Sequence, residues 1–157
     1  MICDRYELRD DEPPGAGEFR GGIGVVKAQR VLTPAFITHE SERHTEAPWG
    51  IFGGTDGTVG RCTVTNPNRP GEVRDMPSKF SGLAVEADDV MTYYSPNGGG
   101  YGDPLDRPAL KVLDDVLDGF CSAARARAVY GVAVDLESET VDMAATEALR
   151  AALRAAR

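Results

Sequence analysis

Long apolar runs are the first thing this 157-residue sequence lacks. None approaches the ~20 residues that a membrane-spanning helix needs. The first residues, Met-Ile-Cys-Asp-Arg-Tyr-Glu, show no basic stretch leading into an apolar one, so no secretory signal is visible. Basic charge is also short. Lys and Arg number 17 against 25 Asp and Glu, a net charge of −8 and a pI near 4.7, which argues against an electrostatic nucleic-acid binder. Cysteine is sparse and odd in number. Cys3, Cys62 and Cys121 are too far apart to read as a disulfide framework, and the expectation is a reduced, cytoplasmic protein. With 41% apolar and 27% charged residues, a packed core is expected and wholesale disorder is not. Glycine and proline are in excess. The 18 Gly and 10 Pro make up 28 of 157 residues, against a usual share of about 12%. The excess is not periodic, which excludes collagen and favours a turn-rich β architecture.

Strands are expected at Ile2 to Leu8, Val25 to Leu32, Ala35 to His39, Arg61 to Thr65, Phe80 to Ala87 and Val90 to Tyr94, each stopped by turn residues. The texture changes after Ser95 to Pro104. Pro108 suits the first position of a helix, and Leu110, Leu113, Val116, Leu117 and Phe120 recur at three- and four-residue steps as one apolar face. Gly119 is read as its stop. A second helix, Ala123 to Tyr130, should end on Gly131. Val132 to Leu136 reads as a brief strand, and a last helix from Met143 has Asp142 as its N-cap and a thin apolar face. The fold class is therefore α+β: mainly β, a barrel- or sandwich-like sheet with Gly/Pro-rich loops over residues 1–104, then helices over 105–157.

Local chemical signals are faint. His39 and His44 stand five apart, with no close cysteine pair or His-Glu-x-x-His, so the chain is read as holding no metal by itself. The glycines of Gly15 to Gly24 and Asn97 to Gly102 lack the strand-to-helix setting and the Lys-Ser/Thr of a phosphate loop. They are read as residues that permit positive φ or close backbone approach. Pro77-Ser78-Lys79 has no nucleophile signature, and no catalytic residue is assigned. The aromatics Trp49, Phe52, Tyr93, Tyr94 and Tyr101 are open to three readings: a ligand pocket, a protein interface, or core closure under long loops.

The segments nonetheless resemble, in order, the C-terminal part of the hydantoinase B/oxoprolinase family. The resemblance is carried by Arg5-Tyr6-Glu-Leu8-Arg9, Gly15-Ala-Gly17-Glu-Phe19-Arg20-Gly21-Gly22-Ile-Gly24 and Ala47-Pro48-Trp49-Gly50-Ile-Phe52-Gly53-Gly54. It continues through Pro77-Ser78-Lys79, Gly98-Gly99-Gly100-Tyr101-Gly102-Asp103-Pro104 and Val129-Tyr130-Gly131-Val132. Glu12-Pro13-Pro14 stands where the family has a Ser-Gly pair.

The resemblance implies a split subunit, because family members are several-fold longer and carry their metal-binding and catalytic residues in a long N-terminal portion. The expected partners are a larger hydantoinase-B-like subunit and hydantoinase-A-like ATP-binding subunits, with neither nucleic acid nor membrane. ATP and a divalent metal are expected in those partners, and no cofactor in this chain. By the same resemblance the expected role is a small, non-catalytic subunit of an ATP-dependent carboxylase that converts acetophenone to benzoylacetate. The alternatives are a subunit of an ATP-dependent hydantoinase or 5-oxoprolinase, and a free-standing β-rich binding module. Side chains able to touch substrate or a neighbouring subunit are Arg20, Trp49, Lys79, Tyr101 and Asp103, held in Gly/Pro-rich segments where function concentrates.

Overall fold

The computed structural model describes all 157 residues. In chain order the strands are β1 (Ile2–Leu8), β2 (Val25–Arg30), β3 (Ala35–Glu40), β4 (Arg61–Thr65), β5 (Val73–Met76), β6 (Lys79–Val85) and β7 (Val90–Tyr94). A 3₁₀ turn (Pro104–Asp106) leads to α1 (Ala109–Leu117) and α2 (Ala123–Tyr130), then the short hairpin β8 (Ala133–Asp135) and β9 (Thr140–Asp142), and finally α3 (Met143–Ala155).

Five strands form one sheet in the order β1-β2-β7-β4-β5, every neighbouring pair antiparallel. β3 and β6 make a separate two-stranded ribbon. Ile37, Phe80 and Leu83 of this ribbon pack on Cys62, Val64 and Met91 of β4 and β7, giving a two-layer core. The fold is α+β as expected, but the barrel alternative does not form. β1 and β5 are the two edges of the sheet and do not pair with each other, because the remaining long strands bond to each other across one face instead of bridging the two edges. β1 is exposed along its whole length, on both faces. An edge strand left this open is a pairing surface.

The helices share a second core in which Val112, Cys121, Ala126, Tyr130 and Val132 surround Ala16 of the first glycine-rich segment. α1 presents Ala109 and Val112 to that core with Val116 packed against it, and it also buries Leu113. Leu110 and Leu117 of the expected stripe are exposed instead. The facing row runs from Ala109 through Val112 and Leu113, one position earlier than Leu110, because α2 lies on that side. Pro108 is the N-cap of α1 and not its first helical residue. Gly119, at φ +79°, turns the chain out of the helix, and Phe120 falls outside it. α2 starts where the Ser122 hydroxyl accepts from the Arg125 N–H and ends on left-handed Gly131. α3 starts where Asp142 accepts from the Ala145 N–H. It buries Thr146, whose hydroxyl accepts from the Ala133 N–H at 3.1 Å. Arg150 and Arg154 donate to the carbonyls of Tyr130 and Leu105 at 3.1 and 3.2 Å and tie α3 down. No helix is long and apolar enough to cross a membrane.

Candidate functional site: an aromatic plateau on a glycine knot

Three Gly/Pro-rich segments, residues 15–24, 47–58 and 95–104, meet backbone to backbone. Phe19 and Tyr101 exchange both N–H···O bonds at 2.9 Å. The Thr55 N–H reaches the Ala16 carbonyl at 2.8 Å, and the Gly100 N–H reaches the Thr55 carbonyl at 2.9 Å. The Gly15 and Gly98 N–H groups go to the carbonyls of Gly98 and Gly22 at 2.9 and 2.8 Å. Glycine is required here for proximity. A Cβ on Gly99 would lie 2.0 Å from the Trp49 carbonyl oxygen, and one on Gly100 would lie 2.0 Å from that of Ala16. These amides bond within the knot, so they are not aimed at an anion as a phosphate cradle requires.

Two buried polar side chains lock the knot from below. The Asn97 amide accepts from the Gly24 N–H and donates to the Glu12 carbonyl, both at 2.7 Å. The Arg9 guanidinium, 5% exposed, donates to the carbonyls of Val59 and Ser95 at 2.6 and 3.0 Å and pairs with Asp11 at 2.7 Å. Neither stands out from sequence. The available signals, a Pro-Asn-Gly turn and an arginine facing an acidic run, are common ones.

With no room inside, the large side chains of the knot point outward. Phe19, Ile51, Phe52 and Tyr101 are each half to three-quarters exposed. The Tyr101 ring stands edge-on to Phe19 at 6.1 Å and to Phe52 at 5.3 Å, and the Ile51 backbone bridges to Tyr101. Phe52 is 77% exposed and has a φ of +52°, an outlier for a bulky residue.

The five residues expected from sequence fall in different places. Tyr101 is the centre of the plateau. Trp49, in the same knot, is exposed with the Arg43 guanidinium 5.1 Å over its ring. Arg20 turns toward the helices, pairing with buried Asp115 at 3.0 Å and lying 5.0 Å over the Phe120 ring. Arg107 holds the other Asp115 oxygen at 2.9 Å, so Asp115 ties the knot to α1. Asp103 caps the 3₁₀ turn by accepting from the Leu105 N–H at 2.8 Å and also pairs with Arg157. Burial works to raise the Asp103 pKa, but the hydrogen bonds from Arg157 and Leu105 and the nearby Arg154 charge hold it below the usual carboxylate range. Lys79 lies on the ribbon, paired with Glu42 at 3.1 Å, and is not brought together with the others.

The expected aromatic group divides the same way. Tyr93 packs in the sheet core 4.8 Å from His39, where burial first and the neighbouring Cys62 second push its hydroxyl up to about 12. Tyr94 lies under Arg61 at 4.3 Å. Burial pushes the Cys62 thiol up to about 11 and raises Cys121 as well, which makes both poor nucleophiles. His39 is held between Phe80 and Tyr93 with its Nε2 unpartnered, and burial keeps its pKa low. The His44 Nε2 meets Ser41 Oγ at 3.2 Å. No three His, Cys, Asp or Glu side chains are grouped as a metal ion would require.

The fold has known counterparts. The model of the hydantoinase B/oxoprolinase family matches residues 1–104, two-thirds of the chain, and the chain belongs to that family. A Pseudomonas sp. (strain NS671) protein, provisionally named as the B component of a D-/L-hydantoinase, is 38% identical over 96% of this chain and 25% of its own length. The beta chain of caprolactamase from Pseudomonas jessenii is 34% identical over 97% of this chain and 26% of its own length. The delta chain of acetophenone carboxylase from Aromatoleum aromaticum (strain DSM 19018 / LMG 30748 / EbN1) is 28% identical over 91% of this chain and 25% of its own length. The crystal structure of ATP-dependent caprolactamase from Pseudomonas jessenii superposes with a TM-score of 0.72 at 32% identity, over 94% of this chain and 26% of that one. The chain thus spans about a quarter of the length of curated relatives that it matches along nearly its whole length.

Proposed function

We propose that this chain is a non-catalytic structural module of a multisubunit, ATP-dependent enzyme of the hydantoinase B type. It completes a larger hydantoinase-B-like polypeptide, whether joined to it or separate, that works with hydantoinase-A-like ATP-binding subunits. ATP and a divalent metal belong to those partners. The observation that carries the reading is the 38% identity along 96% of this chain to a D-/L-hydantoinase component of which it spans only 25%. The structural role is supported by how the charged groups are used: Arg20 with Asp115, Asp103 with Arg157 and Lys79 with Glu42.

The substrate class favoured is a cyclic amide, a hydantoin or lactam whose ring C–N bond is opened with ATP. Two relatives above 30% identity that match nearly the whole chain are named for hydantoin and caprolactam. That reverses the order expected from the sequence. Carboxylation of acetophenone to benzoylacetate is the second reading, supported by the 28% identity to the acetophenone carboxylase delta chain. An assay of the native assembly separates the two. ATP hydrolysis stimulated by a hydantoin or caprolactam, with ring-opened product formed only when this chain is present, is the expected result. Acetophenone-dependent fixation of labelled bicarbonate selects the second reading. Full activity of the large subunits without this chain overturns both.

A further inference from the structure

Resting on the assembly reading above, we infer that the plateau of Phe19, Ile51, Phe52 and Tyr101 is the docking face for the three-quarters of the family fold that this chain does not span. The area is the first argument. Aromatic side chains bury 150–250 Å² each, so four large side chains exposed to this degree present roughly 450 Å² of contiguous apolar surface. That matches the largest apolar patch of a typical monomer, a patch that is often functional. A groove of about 400 Å³ continues it past Gly53 and Thr55, between Pro104, Leu105, Val129 and Leu153. The plateau alone is a little over half of the ~800 Å² per partner of a standard interface, and the groove extends it.

Phe52 supplies the second argument. It holds a left-handed backbone that bulky residues avoid and leaves 77% of its surface in water. Both features disfavour the chain alone, and such strain persists where the surroundings over-determine it. The occupant follows from chain length. In the caprolactamase structure this fold makes up 26% of a longer chain, so the remainder must lie against some of its surface. The plateau is suited to receive it, because the knot fixes the backbones of all four residues and little ordering entropy remains to be lost on docking.

Photo-cross-linking in the native host tests this, using Phe52→p-benzoylphenylalanine and, on the exposed β1 edge, Tyr6→p-benzoylphenylalanine. The expected result is a cross-link from position 52 to a hydantoinase B/oxoprolinase polypeptide, outside the segment homologous to this chain. A position-52 cross-link only to a second copy or to an unrelated protein overturns the inference. So does silence at position 52 while position 6 captures the family polypeptide, an outcome that leaves the assembly reading standing. Silence of that polypeptide at both positions overturns the assembly reading as well. Phe52→Asn adds an independent readout, since Asn accepts left-handed φ. It should leave the thermal midpoint of the isolated chain unchanged or higher while weakening association by tenfold or more, as loss of an aromatic anchor does. Unchanged association overturns the inference.

Discussion

Gly100→Ala adds a single methyl group at the point where all three segments of the knot meet. The new Cβ would lie 2.0 Å from the Ala16 carbonyl oxygen and 2.4 Å from its carbon. An ordinary contact lies beyond 3.4 Å, so one backbone must retreat by more than 1 Å. Neither is free to do so. The Ala16 carbonyl accepts from the Thr55 N–H at 2.8 Å, and Gly100 is bonded through its N–H to Thr55 and through its carbonyl to Ile51, both at 2.9 Å. The Ala16 N–H is also held, by the Thr55 hydroxyl at 2.7 Å. Overpacking of one methyl costs about 1–3 kcal/mol, and a buried backbone group pulled off its partner costs a further ~1–3 kcal/mol. The expected destabilisation is about 3–5 kcal/mol, a large part of the 5–15 kcal/mol typical of a whole domain.

Urea unfolding followed by far-UV circular dichroism reads this directly. With an m-value of about 1–3 kcal/mol/M, the midpoint should fall on the order of 2 M. Gly22→Ala is the internal control, because nothing lies within 4 Å of its Cβ and its φ is not left-handed. There the substitution should stabilise by about 0.4–1 kcal/mol through the unfolded chain. If Gly100→Ala unfolds within about 1 kcal/mol of the wild type, close backbone approach is not what these glycines are for.

Three further perturbations address the struts around the knot. Asp115→Asn strips the shared carboxylate from Arg20 and Arg107 and should cost about 2–4 kcal/mol, a drop in Tm on the order of 10 °C; in that background Arg20→Met should add much less than it does alone, and full additivity refutes the coupling. Asp142→Ala removes the N-cap of α3 and should cost about 1 kcal/mol, with Asp142→Ser restoring most of it in the same melt. His39 binds a proton less readily folded than unfolded, through burial first and His44 second. The unfolded state therefore takes up more protons, so stability is full above about pH 6.5 and falls as pH drops below that value. In His39→Phe that part of the pH dependence should vanish, and an unchanged slope between pH 7 and 5 would exclude His39 as its source.

Where local chemistry decides the structure, the sequence is readable. β1, β4 and β7 begin and end where period-two patterning and turn residues place them, and α2 closes on Gly131 because no side chain hinders left-handed φ there. β5 and β9 give no such signal, because Val-Arg-Asp-Met and Thr-Val-Asp are too short and polar to show a period. They are strands because β4 and β8 offer them ladders, which is tertiary context overriding propensity. The rotated face of α1 has a similar origin. Leucine spacing identifies a helix, but the position of α2 selects which row is covered. Glycine excess correctly signals close approach in the knot, yet nothing in a single chain says that Gly99 meets Trp49 and Gly100 meets Ala16. The buried roles of Arg9 and Asn97 depend on carbonyls far away in sequence and leave no local trace.

The rigidity of the knot and the exposure of its aromatics have one cause. Segments that approach until a Cβ would overlap a carbonyl leave no volume between them for a side chain, and their amides and carbonyls satisfy one another. Such an interior is stable without a hydrophobic filling, because buried polar groups are penalised only when unpaired. The bulky residues interleaved with the glycines have no inward option, so Phe19, Ile51, Phe52 and Tyr101 must face outward together. A surface produced in this way is apolar, contiguous and already ordered. A change that loosens the backbone contact at Gly100 should therefore disturb the plateau it supports, even though it touches none of the four exposed side chains.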